Sequence, residues 1–91
     1  MKYEIERTSQ FKKDFKLALK RHCDIEKLKK AITILADGEV LPEEYLDHPL
    51  RGNYMGYREC HIEPDWLLVY KITESVLVLT SYRTGSHSDL F

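Results

Sequence analysis

The segment from residue 57 to residue 82 decides the fold, because it contains three strand-like runs separated by two short links. The runs are YRECHI (57–62), WLLVYKI (66–72) and VLVLTSY (76–82), and the links are EPD (63–65) and TES (73–75). Aromatic and β-branched residues at this density are typical of strands, and links this short join antiparallel neighbours. The segment therefore predicts an antiparallel three-stranded meander.

The residues before the meander have a helical pattern. One helix is predicted to start near Phe11, with Ser9 as its N-cap, and a second to run from Asp24, its N-cap, to Asp37. Gly38 suits the position just beyond the second helix. The apolar face of the first helix is predicted to contain Phe11, Phe15, Ala18, Leu19 and His22, and that of the second Ile25, Leu28, Ile32 and Leu35.

These elements define an α+β fold. Tyr3–Glu6 is a candidate N-terminal strand, the two helices form a helical hairpin, and residues 39–56 are predicted to be a loop. With the antiparallel meander, they predict one small twisted sheet that the helices cover on one face. The 91 residues are enough for a single domain, residues 1–91, and too few for two.

The composition limits the class of protein. Fourteen Lys and Arg against 15 Asp and Glu give a net charge of −1, which on its own argues against a nucleic-acid-binding domain. The charge is divided, however: residues 1–35 carry ten bases and five acids, whereas residues 36–91 carry four and ten. No apolar run would span a membrane, no signal region opens the chain, and the two cysteines lack CxxC spacing. A reduced, cytoplasmic protein with no membrane partner is predicted.

Three histidines in the acidic half lie at informative places. His48 is in the predicted loop, His61 is near the end of a predicted strand, and His87 follows Arg83 by four residues. If the strands pair as a meander, the third strand ends beside the turn at 63–65. His61, Asp65 and Arg83 are then expected at the same edge of the sheet, with His87 brought there by the tail.

This set of side chains suits the cleavage of an RNA phosphodiester. When the RNA 2′-hydroxyl attacks its own phosphate, the reaction needs a base, an acid and a cation, but no metal or other cofactor. Histidine titrates near neutral pH, and arginine makes forked contacts to phosphate. An aromatic residue such as Phe91 or Trp66 would stack on an unpaired base.

Two other interpretations of these residues stay open. Trp66 begins an apolar strand, so it is also a candidate for the core. The alternative to acid and base chemistry is a zinc site, although the wide spacing of its ligands fits no short zinc motif. Its ligands would be His48, His61, His87 and Asp65.

Four sequence elements closely resemble the YafQ branch of the RelE/ParE toxin superfamily. They are DHPL (47–50), GYRECH (56–61), PDWLLVY (64–70) and RTGSHSDLF (83–91). The resemblance covers essentially the whole chain and implies a RelE-like fold and the toxin of a type II toxin–antitoxin pair. It implies a ribosome-dependent mRNA endoribonuclease that cuts the message in the ribosomal A site. It also implies a cognate antitoxin, of a ribbon-helix-helix type similar to DinJ or RelB, and contact with operator DNA only in complex with that antitoxin.

The resemblance also implies catalytic roles for individual residues. His87 is expected to be the general acid at the leaving oxygen. Asp65 or His61 is expected to be the base, with the other orienting it. Arg83 and His48 are then expected to hold the scissile phosphate.

Substrate and ribosome binding are the remaining expectations. Phe91 is expected to stack on a base or position it. Toxins of this family are usually clearly basic, whereas this chain has a pI near 6.4. Ribosome binding is therefore expected to depend on the lysine-rich hairpin. Its lysines are Lys12, Lys13, Lys16, Lys20, Lys27, Lys29 and Lys30.

Two rival functions share the predicted fold. ParE-type members of the superfamily are non-nucleolytic toxins that inhibit DNA gyrase. The combination of His48, His61, Asp65 and His87 argues against that function, since a gyrase inhibitor needs no acid and base. The second rival is an inactive member that only binds its antitoxin and represses its own operon.

Overall fold

The computed structural model describes residues 1–84, in which two helices pack on one face of a five-stranded sheet. The strands are β1 (Glu4–Arg7), β2 (His48–Pro49), β3 (Arg58–Glu63), β4 (Trp66–Thr73) and β5 (Val76–Thr84), and the helices are α1 (Ser9–Lys20) and α2 (Ile25–Ala36). The strand order is β1-β5-β4-β3-β2, with β1 parallel to β5 and the other neighbours antiparallel. The predicted strand, helical hairpin and meander are confirmed. The observed bounds of these elements differ from the predicted ones by one or two residues.

Helix α1 begins before its expected start, and its N-cap is Thr8 rather than Ser9. The Thr8 hydroxyl accepts the Phe11 N–H at 3.1 Å and donates to the carbonyl oxygen of Thr80 on β5 at 2.7 Å. Both Thr and Ser are good caps. The tertiary hydrogen bond to β5 accounts for the choice between them.

The buried face of α1 also differs from the prediction. Phe11 and Ala18 are buried as expected, but Leu19 is 49% exposed. His22 lies beyond the end of the helix, exposed, with a left-handed φ of 58°. The helix is rotated so that Asp14, which is 7% exposed, faces the sheet instead.

Helix α2 follows the sequence pattern closely. The Asp24 carboxylate caps it by accepting the N–H groups of the first turn, and Leu28, Ala31 and Leu35 are buried against the sheet. Gly38 follows the helix with a φ of 79°, a conformation that glycine adopts without strain.

The segment between α2 and β3 was predicted to be a loop, and this is wrong in one respect. His48 and Pro49 form the two-residue edge strand β2, paired with Glu59 and Arg58 of β3. A strand this short has no alternating pattern to reveal it, and proline is tolerated there because an edge strand leaves its N–H side unpaired. Pairing with β3 attaches His48 to the sheet.

Alternation along the strands divides the sheet into two faces. The helix-covered face is formed by Cys60, Ile62, Trp66, Leu68, Tyr70, Leu77, Leu79 and Tyr82. A register shift at Thr80 lets both Leu79 and Tyr82 point to that face. In residues 1–84, neither helix has the length or apolar character needed to cross a membrane.

Candidate functional site

Two rows of paired residues cross the sheet face opposite the helices, which we call the open face. The first row contains His48, Glu59, Val69 and Ser81, and the second contains His61, Leu67 and Arg83. Residues paired across neighbouring strands project from the same face of a sheet. The strand pairing therefore puts both described candidate histidines and the candidate arginine on one surface.

His61 and Arg83 lie on either side of the buried Leu67. Two strand spacings separate their backbones, or about 10 Å. Both side chains are half-buried at the end of the sheet where β3 turns into β4. The expectation that strand pairing brings these two residues to one edge is confirmed.

Asp65 lies at the same end of the sheet, in the exposed turn between β3 and β4. Trp66, the next residue, points the other way: it is 8% exposed and packs against Tyr82 with ring centroids 4.9 Å apart. The prediction that Trp66 stacks on an RNA base is therefore corrected, because its ring is enclosed in the core. His87 and Phe91 lie outside the described residues.

Both ring nitrogens of His48 contact acceptor oxygens. Nδ1 lies 2.7 Å from the carbonyl oxygen of Leu46, and Nε2 lies 3.2 Å from Oε1 of Glu59. A carbonyl oxygen only accepts, so Nδ1 carries a hydrogen and the Nδ1–H donates a hydrogen bond to the carbonyl oxygen of Leu46. Glu59 is fully buried. These two contacts fix the orientation of an imidazole that is itself 38% exposed.

Glu59 was missed as a site residue in the sequence. It lies two residues before His61, with the buried Cys60 between them, so strand alternation alone places it on the face of His61. What the sequence does not show is that β2 brings His48 opposite it.

A half-buried carboxylate, that of Asp47, anchors the segment that carries His48. Asp47 accepts a hydrogen bond from the Tyr70 hydroxyl at 2.8 Å and one from Arg58 Nε at 3.2 Å. Burial, followed by the hydrogen bond to Asp47, raises the pKa of Tyr70 well above its usual value, so the hydroxyl stays protonated and donates. Asp47 thus ties the start of β2 to β3 and β4.

The buried carboxylate of Asp14, missed in the sequence, holds Arg83. Asp14 Oδ2 accepts the Tyr82 N–H at 3.1 Å and lies 3.5 Å from Arg83 Nε, and Oδ1 accepts from Gln10 Nε2 at 2.9 Å. Strand β1 pairs with β5 only as far as Leu79. Beyond that point, Asp14 supplies the acceptor that a neighbouring strand would have provided.

The predicted ribosome-binding lysines are exposed on the two helices. The helices cover the face of the sheet opposite the histidine rows, so most of these lysines lie away from the open face. Lys27 and Lys30 are the exceptions, since they share a groove of about 530 Å³ with His61. Lys27 also lies 3.8 Å from Glu63.

The chemistry of the open face is that of proton transfer and anion binding. It offers two imidazoles and a guanidinium, and Asp65 lies in the turn at the end of the sheet where His61 and Arg83 are found. Within residues 1–84, no three His, Cys, Asp or Glu side chains are placed to hold a metal ion together.

Comparisons with known proteins agree with one another. Residues 3–91 match the family model described as "Bacterial toxin of type II toxin-antitoxin system, YafQ". The mRNA interferase toxin YafQ of Escherichia coli K12 is 49% identical over 89 residues, which cover 97% of this chain and 95% of that protein.

Solved structures give the same result. The crystal structure of YafQ from E. coli BL21(DE3) superposes with a TM-score of 0.88 at 46% identity, covering 98% of each chain. A YafQ chain in the crystal structure of the E. coli DinJ–YafQ complex superposes with a TM-score of 0.87 at 47% identity, again covering 98% of each chain.

Proposed function

This chain belongs to the YafQ family of bacterial toxins of type II toxin–antitoxin systems, and from that premise we propose that it is a ribosome-dependent mRNA endoribonuclease. The single observation that supports the proposal best is the strand pairing, which puts His61, Arg83 and His48 on the same open face of the sheet. A gyrase inhibitor or an inactive antitoxin-binding co-repressor has no need of such a set.

The proposed reaction is an attack of an RNA 2′-hydroxyl on its own 3′-phosphate. His61 or Asp65 takes the hydroxyl proton, the new P–O2′ bond forms, and the P–O5′ bond breaks. His87 gives a proton to the departing 5′-oxygen. The other RNA fragment then ends in a 2′,3′-cyclic phosphate. Acid and base groups of this kind each contribute roughly 10²–10⁴ in rate.

Arg83 and His48 are the proposed phosphate-binding groups, and a phosphate at His48 takes the place of one of the two contacts that its ring nitrogens make. Asp14 holds Arg83 through Nε, so the two terminal amino groups of the guanidinium are the ones directed to a substrate. Fixed donors stabilise charge that develops on the phosphate without reorganising during the reaction. Phe91 is the proposed contact to a base.

The proposed partners follow from the same premise. The E. coli relative is seen in complex with DinJ, so a cognate antitoxin of that kind is the proposed inhibitor of this chain. Translating ribosomes and their message are the proposed targets, which places the toxin in the cytoplasm. Operator DNA is proposed to be bound only by the toxin–antitoxin complex.

A reconstituted translation reaction tests the proposal. We expect the purified protein to cut a translated message, with primer extension locating the cuts, and to leave the same message intact when ribosomes are omitted. Inhibition of DNA supercoiling by gyrase, with the message left intact, would replace the proposal with the ParE-type function. The absence of both activities would favour the co-repressor.

A further inference from the structure

A small cavity lies on the open face directly beside Arg83, where the start of α1 and the turn at residues 52–54 flank β5. We call it the Arg83 cavity. Its volume is about 240 Å³, which is below the roughly 300–1,000 Å³ of sites for drug-sized ligands and suits one nucleobase. It is lined by Thr8, Gln10, Tyr54, Val69, Thr80, Ser81 and Arg83.

The lining of the Arg83 cavity combines the groups that recognise unpaired bases. Val69, which is buried, supplies an apolar surface, and the ring of Tyr54, which is 37% exposed, supplies a face for stacking. Gln10 and Ser81 add hydrogen-bonding groups for a base edge, and Arg83 adds a cation for phosphate.

Asp14 keeps two of these groups in place from behind. Its Oδ2 holds Arg83 Nε, and its Oδ1 holds Gln10 Nε2 at 2.9 Å. Gln10 therefore offers a ligand its amide oxygen and the second hydrogen of its amide group. Asp14 itself is 7% exposed, so the carboxylate at the centre of this bridge is largely shielded from water.

We propose that the Arg83 cavity is a subsite for the nucleobase adjacent to the phosphate that Arg83 binds, and that Gln10 and Tyr54 read that base. The inference rests on the proposed RNA cleavage, since it names a substrate contact of the same site. It predicts that these two residues influence where the message is cut. Neither residue is proposed to take part in proton transfer.

Binding is tested with a tetranucleotide of 2′-deoxyribose, which cannot be cleaved because it lacks the attacking hydroxyl. In NMR titrations of the full chain, we expect the side-chain amide of Gln10 and the backbone of Ser81 to shift. The variants Gln10→Ala and Tyr54→Leu are expected to weaken binding roughly tenfold or more. Ser9→Ala, one residue from Gln10 on an exposed position outside the cavity, is the matched control.

Cleavage is tested with the same variants in the reconstituted translation reaction. We expect Gln10→Ala and Tyr54→Leu to redistribute the cuts among message positions, whereas Ser9→Ala cuts as the wild type does. If both variants bind the tetranucleotide and cut the message as the wild type does, the subsite is wrong while the proposed function stands. If the wild type does not cut, the proposed function fails, and the titration alone decides whether the cavity holds a nucleotide.

Discussion

The carboxylate of Asp14 on α1 lies 3.5 Å from Nε of Arg83 on β5, and the two side chains are 10% and 40% exposed. With solvent screening of the partly exposed guanidinium, such a contact contributes about 1 kcal/mol, roughly fivefold in rate if it acts on the transition state. We expect Asp14→Asn to slow message cleavage by that factor, because the amide no longer neutralises and orients the guanidinium.

A double-mutant cycle separates positioning from general stability. In an Arg83→Ala background, Asp14→Asn is expected to add almost no further loss in single-turnover cleavage rate, since its partner is gone. If the two losses multiply instead, Asp14 does not act through Arg83. Thermal melting of each variant shows that the protein is folded.

Glu59 offers a second test, directed at His48. We expect Glu59→Gln to slow cleavage about tenfold, because the ring of His48 loses the buried carboxylate that holds Nε2. Glu6→Gln, an exposed position on β1, makes the same chemical change away from the site. Equal rates for the two variants in the translation reaction would remove Glu59 from the account.

The hydrogen bond from Tyr70 to Asp47 makes a prediction about stability and pH. Tyr70→Phe is expected to lower the free energy of unfolding by about 1 kcal/mol at neutral pH, because the half-buried carboxylate of Asp47 loses one of its two donors. The measurement is urea-induced unfolding followed by circular dichroism. Tyr57→Phe, which removes a hydroxyl from a less buried ring, is the control.

The sign of the alkaline effect follows from the raised pKa of Tyr70. A tyrosine in the unfolded chain ionises near pH 10, whereas Tyr70 stays protonated in the folded protein. Ionisation therefore favours the unfolded chain, and the free energy of unfolding falls as the pH rises above about 10. Between about pH 9 and pH 11, Tyr70→Phe is therefore expected to lose less stability than the wild type. Parallel losses would contradict the assignment.

The exposed lysines predict how ribosome association depends on salt. Lys12→Glu combined with Lys16→Glu is expected to weaken ribosome co-sedimentation and to reduce the slope of log affinity against log salt by about 1.5–2. The control is Lys2→Glu combined with Arg51→Glu, which changes the net charge by the same amount at two positions that are not among the helical lysines. If both pairs give the wild-type slope, ribosome binding does not depend on the helical lysines.

Local patterns in the sequence were enough to predict the framework of the fold. Alternation along the strand assigns Cys60 and His61 to opposite faces of the sheet. Asp24, as a capping carboxylate, and Gly38, as a residue that accepts a left-handed backbone, mark the two ends of α2. These signals act over a few residues. The positions of β3, β4 and β5 follow from them, and so does the row that contains His61, Leu67 and Arg83.

The features that sequence analysis missed depend on distant segments. Asp14 is buried because β1 stops pairing at Leu79 and leaves a backbone donor of β5 to be satisfied. His48 meets Glu59 only because a two-residue strand adds to the sheet edge. No periodic pattern in one segment records either relationship. The sequence left open whether Trp66 lies in the core or stacks on a base. Its packing against Tyr82 shows that it lies in the core.

The central claim, that this toxin cuts message by histidine-dependent chemistry, is tested most directly by primer extension on a translated message after induced expression. The comparison is between the wild type, His87→Asn and His22→Asn, the last being the same change at an exposed position where asparagine accepts the left-handed backbone. We expect cuts with the wild type and His22→Asn and none with folded His87→Asn. Undiminished cutting by folded His87→Asn would contradict the claim.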